Sequence, residues 1–423
     1  MATWRLLVVA TAVLALCLPR QLLADGQQDL SPEERLKKKL LDGYDKSSLP
    51  HRQNNDTTVV EFSMMLQGSW IEEDKQIINI NAWVLMTWMD PRLTWDHKDY
   101  GGLDNVHFGD HEVWQPGIVL YNNADVTKVD PYGGTDLVIK DNGRVWWVPP
   151  ATLRAECPLD VTYWPYDTQV CYLYLGSWTK EGYHMDIQIY ANRTKVSAGY
   201  FMKLTHAWQY KSGKLVRIVS DYPDLNLRYV MLQMTVSFAR VSPIFTYTVV
   251  FPAIVVSVLT LLQFVLPMRE PRRLLLGCVS LLLTLMHLIY LAATVPTLSS
   301  SVPIVVKFFG QTLAVTVASV GVSALLLRLT DTRQPTIATP PPIALKTLLT
   351  GPAGTFLFLR QYIAKVGMSG GGAEDGEVLE DSDARPASHH YEWLLVAAAT
   401  DRVAFLAFLA TFFITFIAYV AAV

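Results

Sequence analysis

Cys157-Pro158-Leu159-Asp160-Val161-Thr162-Tyr163-Trp164-Pro165-Tyr166-Asp167-Thr168-Gln169-Val170-Cys171 holds thirteen residues between two cysteines and centres on an aromatic-Pro-aromatic-Asp run. The chain has two other cysteines, Cys17 and Cys278, each inside an apolar stretch. At the N-terminus Arg5 precedes an apolar run over residues 6–18, then Pro19, and the small residue Ala24 stands before Asp25. That order reads as a secretory signal cleaved after residue 24, because about 13 apolar residues fall short of the roughly 20 that span hydrocarbon. The secretory route delivers the chain to an oxidising compartment, so Cys157 and Cys171 are expected to form a disulfide. Closing a loop of about 15 residues is worth roughly 3 kcal/mol in the chain-entropy model. Asp167 is a costly lone charge among those aromatics and needs a cationic partner.

Upstream of this loop, residues 30–49 carry a short helical pattern with Ser31-Pro32-Glu33-Glu34 as its start and Leu36, Leu40 and Leu41 on one face. Residues 59–240 change to short alternating runs rich in Val, Ile, Thr, Tyr and Trp. Turn clusters such as Asp141-Asn142-Gly143 and Lys211-Ser212-Gly213 separate them. That rhythm predicts an antiparallel β-sandwich. Glycosylation sequons fall at Asn55 and Asn192.

Downstream, residues 244–266, 274–295, 308–327 and 403–423 contain no Asp, Glu, Lys or Arg. Each matches a bilayer-crossing helix at about 1.5 Å per residue, so four spans are expected and both termini lie outside the cell. The link between spans one and two carries Arg269, Arg272 and Arg273, as cytoplasmic loops do. The expected division is residues 1–24 signal, 25–240 extracellular domain, 241–327 spans one to three, 328–402 cytoplasmic loop and 403–423 span four. In that loop the Gly/acidic tract 370–383 reads as disordered, and residues 391–402 read as a helix entering the last span. The net charge of −3 says nothing about partners. No basic run points to nucleic acid, and no metal-ligand cluster or nucleophile–base group points to an enzyme or a cofactor.

The cysteine-bounded stretch resembles, over its full length, the signature loop of the Cys-loop pentameric ligand-gated ion channels. The likeness extends to nicotinic acetylcholine receptor subunits of the non-α type. Trp83-Val84-Leu85-Met86-Thr87-Trp88-Met89-Asp90 is similar to the strand supplying the complementary side of the agonist site. Trp114-Gln115-Pro116-Gly117-Ile118-Val119-Leu120-Tyr121, Gly176-Ser177-Trp178-Thr179 and Tyr222-Pro223-Asp224 are similar to the three principal-side loops. The resemblance implies an immunoglobulin-like antiparallel β-sandwich followed by a four-helix transmembrane bundle. It also implies a heteropentamer with other nicotinic-type subunits, in the lipid of a postsynaptic plasma membrane, that opens on acetylcholine or a related quaternary ammonium. Tyr121, Trp178 and Tyr222 would form a principal wall; Trp88, Trp146 and Val148 would line the complementary side. Such a cation neither donates nor accepts a hydrogen bond and is best held against aromatic faces.

For gating, the resemblance pairs Asp167 with Arg240, makes the Trp164–Pro165 bond cis, and has residues 297–303 receive the signal. It aims Arg272, Leu275, Val279, Leu282, Met286 and then Ile289 or Tyr290 at the pore. Several residues depart from the pattern. The adjacent cysteine pair of α subunits is missing from a third-loop tip expected at residues 216–221, as is a preceding tyrosine. Gly117 replaces an acid, and Arg272, flanked by Arg273, stands where cation channels carry an acid. A complementary role beside an α subunit follows, with a non-conducting assembly subunit or an anion-permeable relative as alternatives.

Overall fold

The computed structural model describes residues 30–50, 56–125, 127–203, 207–225, 227–241, 243–299, 301–331, 339–370 and 389–422. The expected signal segment, Asn55 and residues 371–383 of the Gly/acidic tract lie outside them. The first helix, α1 (Pro32–Leu41), is shorter than the pattern over residues 30–49 suggests. A capping box starts it: Glu34 N–H donates to Ser31 Oγ at 3.2 Å, and Ser31 N–H donates to Glu34 Oε2 at 2.8 Å. Asp42 already has extended backbone and Gly43 adopts φ +69°, which ends the helix. Leu36 and Leu40 face the core.

Twelve strands follow among the described residues: β1 (Thr58–Glu72), β2 (Ile77–Met89), β3 (Asn105–Phe108), β4 (Ile118–Leu120), β5 (Leu137–Lys140), β6 (Arg144–Trp147), β7 (Pro150–Glu156), β8 (Thr168–Ser177), β9 (Met185–Ile189), β10 (Ser197–Lys203), β11 (Trp208–Tyr222) and β12 (Leu227–Arg240). They form an eight-stranded sheet ordered β10-β1-β2-β6-β5-β3, with β7 on β2 and β9 on β1. A four-stranded sheet is ordered β11-β12-β8-β4. The sandwich is mostly antiparallel, and β1 pairs with both β9 and β10 in parallel. Alternation fixes each face. In β12, Val230, Leu232, Met234, Val236 and Phe238 are buried while their neighbours are half-exposed. At the β5–β6 turn Gly143 takes φ +82°, and a Cβ there would lie 2.5 Å from the Asp90 carbonyl oxygen, so glycine is required. Lys211-Ser212-Gly213 is not a turn: β11 runs through it and absorbs the extra residue as a bulge opposite Ser237.

The helical part begins with a π-helical turn (Thr246–Val250) that continues into α2 (Phe251–Leu262). This first apolar helix is shorter than the other three, because residues 263–266 leave the helix as turns. Among the described residues, the three helices long and apolar enough to cross a membrane are α3 (Arg272–Thr294), α4 (Ile304–Thr330) and, after shorter helices α5 (Ile343–Thr350), α6 (Pro352–Phe356) and α7 (Arg360–Gly370), the 33-residue α8 (His390–Ala422). The expected helix over residues 391–402 is the first part of α8. Hydroxyls buried among the helices bond to their own backbone: Thr260, Thr284 and Thr316 each donate to the carbonyl four residues back at 2.8 Å. Polar side chains thus sit inside the bundle while apolar ones face outward.

Candidate ligand-binding, coupling and pore sites

Cys157 and Cys171 are bonded, with Cα atoms 5.1 Å apart, and Cys278 is a free thiol. The bond closes the loop between β7 and β8 at the end of the sandwich nearest the helices. The Trp164–Pro165 peptide is cis. Trp164 is buried and meets the Phe245 ring at 4.7 Å; Tyr163 and Tyr166 stay exposed, and Tyr166 OH lies 2.9 Å from Thr246 Oγ1. The loop therefore touches the start of the first apolar helix. It also holds the link between α3 and α4: Ile304 N–H donates to the Thr162 carbonyl at 3.0 Å, Ser301 Oγ to Asp160 at 2.8 Å and Ser299 Oγ to the Leu159 carbonyl at 3.0 Å. Gln76, after β1, donates to the Leu298 carbonyl at 2.7 Å.

Asp167 finds the partner that its burial demands. Arg240, the last residue of β12, forks onto both of its oxygens (Nε at 2.6 Å, Nη2 at 3.1 Å), and Nη1 reaches Glu73 at 2.6 Å. The guanidinium lies over the Trp208 ring at 4.4 Å. Burial works against the Arg240 charge, but hydrogen bonds to Asp167 and Glu73 outweigh it and raise the pKa. Glu73 is a member that sequence reasoning missed.

Tyr121, Trp178 and Tyr222 gather at the opposite end of the four-stranded sheet. Tyr121 follows β4, Trp178 follows β8, and Tyr222 ends β11. Tyr121 and Trp178 rings are 6.2 Å apart, and Tyr222 meets Tyr229 of β12 at 6.3 Å, edge to face. Tyr229 was not singled out in the sequence. Its phenol, after burial, is a cause of the raised Tyr121 pKa, so Tyr121 stays a neutral donor to the Ser177 carbonyl at 2.6 Å. A Cβ on Gly176 would come within 2.3 Å of the Tyr121 oxygen; only glycine lets that ring lie across β8. Trp178 is 66% and Tyr222 50% exposed. The hairpin tip falls at Pro223–Leu225, whereas residues 216–221 lie in paired β11. No cysteine pair exists at either place.

The second aromatic set lies on the eight-stranded sheet, and here one expectation is corrected. Trp88 is 2% exposed and meets Trp114 edge-on at 5.6 Å in the core, so it presents no face to a ligand. Trp83, five residues earlier on β2, is 44% exposed. An odd separation on a strand puts two side chains on opposite faces, and this arithmetic, applied to the sequence, selects Trp83 once the core face is known. Trp146 pairs across from Thr87 and stacks edge-on with Tyr190 at 5.9 Å; with exposed Val148 it shares the outer face of Trp83 and Leu85. Asn192 is exposed in a turn at φ +53°.

On α3, Leu275, Val279, Leu282, Met286 and Ile289 form one exposed stripe at alternating spacings of three and four, and exposed Arg272 continues it. Tyr290 leaves the stripe to donate to Thr248 Oγ1 at 3.3 Å. Arg273 does not join Arg272 at a pore mouth. It is fully buried on the opposite stripe with Gly277, Ser280, Thr284 and Leu291, and it pairs with Asp401 of α8 at 2.5 Å.

A β-sandwich with a disulfide loop seated on apolar helices, an aromatic group at the far end of the same sheet and an apolar helix stripe are the layout of the ligand-gated channel class. Family models agree: the neurotransmitter-gated ion-channel ligand binding domain matches residues 33–242, and the neurotransmitter-gated ion-channel transmembrane region matches residues 249–361. The chain belongs to this family. It is 29% identical over 308 residues to acetylcholine receptor subunit beta-like 1 of Drosophila melanogaster, covering 70% of this chain and 56% of that one. It is 30% identical over 316 residues to neuronal acetylcholine receptor subunit alpha-6 of Pan troglodytes (73% and 62%). To alpha-4 of Homo sapiens it is 30% identical over 305 residues (70% and 47%). The chain thus spans about half the length of these relatives.

Proposed function

We propose that the chain is a subunit of a pentameric, acetylcholine-gated channel of the plasma membrane, with its sandwich outside the cell and its complementary face set against a nicotinic-type α subunit. The observation that carries this reading is the placement of two aromatic sets on different sheets. Tyr121, Trp178, Tyr222 and Tyr229 lie at one end of the four-stranded sheet; Trp83, Trp146 and Val148 lie on the outer face of the other. Two such half-sites on one chain suit a pocket completed between neighbours, and a cation held among aromatic faces gains roughly 0.5–2 kcal/mol per contact. β8 and β12 run from the aromatic end to Asp167 and Arg240. Ten residues at about 3.4 Å each make a lever of roughly 34 Å that ends at the disulfide loop, which in turn holds the α3–α4 link. Closure of the aromatic end on a ligand would shift both strands against that link and so turn α3.

The test is two-electrode recording with and without an α partner. The subunit alone gives no acetylcholine current; beside α it alters the concentration dependence, and Trp83→Ala shifts it further. Unchanged acetylcholine responses beside every nicotinic-type α partner would overturn the reading. The acid-free stripe on α3 favours a second reading, a subunit that assembles and modulates but conducts poorly. Single-channel conductance separates the two.

A further inference from the structure

Arg272 and Arg273 are adjacent in sequence, yet they have opposite fates. Arg272 is exposed at the head of the apolar stripe, whereas the Arg273 side chain is completely buried. Adjacent residues on an α-helix point about 100° apart, so whatever fixes one direction fixes the other. Three groups hold Arg273. Asp401 Oδ1 accepts from Nη2 at 2.5 Å, Ser323 Oγ of α4 accepts from Nε at 3.1 Å, and the Phe264 ring lies 4.5 Å under the guanidinium. Nη1 has no partner among the described residues. Asp401 supplies the only carboxylate described on Arg273 and is itself buried.

We infer that Asp401 is a positioning residue for the pore-lining helix. By holding Arg273 inside the subunit it sets the rotation of α3, turns Arg272 and the Leu275–Leu282–Met286 stripe to the lumen, and limits the positive charge at the inner mouth to one residue per chain. The inference rests on the channel reading proposed above. An uncompensated buried charge is far costlier than a paired one. Without Asp401, α3 turns until Arg273 reaches water, and Arg272 leaves the stripe.

Labelling of Arg272→Cys in a Cys278→Ala background, by a charged thiol reagent applied to the inner face of membrane patches or vesicles, tests this without agonist. Adding Asp401→Asn should slow labelling at least five-fold, and adding Arg273→Gln to that variant should restore the rate. Where current is present, Asp401→Asn should also shift single-channel conductance at least two-fold, and adding Arg273→Gln should return it to the starting value. If Asp401→Asn does not accumulate, the swap Arg273→Asp with Asp401→Arg should restore both delivery and labelling. Labelling indifferent to Asp401→Asn, or a loss that neither Arg273→Gln nor the swap repairs, overturns the inference. Labelling that behaves as expected in a protein giving no acetylcholine response with any partner sustains this inference and removes the function proposed above instead.

Discussion

Truncating Trp88 to alanine takes from the core a ring that Trp114 meets edge-on at 5.6 Å, and deletion of a buried tryptophan typically costs about 3–5 kcal/mol. Trp88→Ala should therefore lower surface delivery, while the subunits that do arrive respond normally to acetylcholine. Trp83→Ala should do the reverse: delivery holds, and the half-maximal acetylcholine concentration beside an α subunit rises about ten-fold, near the upper range of one cation–π contact. Surface biotinylation and concentration–response curves, run on the same cells, separate the two. Equal loss of delivery in both would place Trp83 among the supports of the fold. At the other end of the sheet, Asp167→Asn would leave the buried Arg240 with only Glu73 as a charged partner. Breaking a buried pair costs about 3–5 kcal/mol, and the expected result is subunits retained inside the cell. Arg240→Lys should rescue little, since a single ammonium cannot fork onto both Asp167 oxygens and reach Glu73.

The loop between β7 and β8 is where one element joins two layers, and its disulfide is tested as an element. Cys157→Ser should abolish surface delivery, as loss of a native disulfide typically costs about 2–5 kcal/mol. Non-reducing peptide mapping should recover Cys157 linked to Cys171 and Cys278 as a thiol. This loop was the most legible part of the sequence, because its spacing and its aromatic-Pro-aromatic-Asp centre constrain everything it touches. Strand rhythm and charge-free runs likewise revealed the two-part architecture. What stayed hidden depended on partners distant in the chain. Period-2 alternation gives two faces to β2 but not which one is inside, so it could not show that the expected Trp88 lies on the core face. Glu73, 167 residues from Arg240, and Tyr229, across the hairpin from Tyr222, join their clusters only through sheet register. Gly213 read as a turn because a glycine beside lysine and serine carries that signal; its role is to clear Tyr210, whose oxygen would lie 2.6 Å from a Cβ there. The short first helix escaped notice because residues 263–266 are as free of charge as the helix they follow.

At the scale of the whole molecule, permeation depends on which charges face the lumen. The sequence offered two adjacent arginines; the bundle takes one of them away, since Arg273 is neutralised by Asp401 across 2.5 Å between α3 and α8. Arg272 alone then heads the exposed stripe, followed by Leu275, Val279, Leu282, Met286 and Ile289, none of them charged. Two unit charges about 6 Å apart interact by roughly 0.7 kcal/mol in water and near 3 kcal/mol at an effective dielectric of 20. In the pore proposed above, a cation passing Arg272 would meet a barrier within that range, which would slow it several-fold or more unless acids from neighbouring subunits offset it. In a heteropentamer with ordinary nicotinic-type partners, incorporation of this chain should lower single-channel cation conductance without reversing selectivity. Arg272→Glu should restore it and Arg272→Gln should do so in part, because the first change replaces repulsion by attraction and the second only removes the charge. Reversal potentials in a sodium chloride gradient should stay on the cation side throughout. Conductance that is unmoved by incorporation and by Arg272→Glu would mean that this side chain faces a neighbouring subunit and that another stretch of the pentamer limits the current.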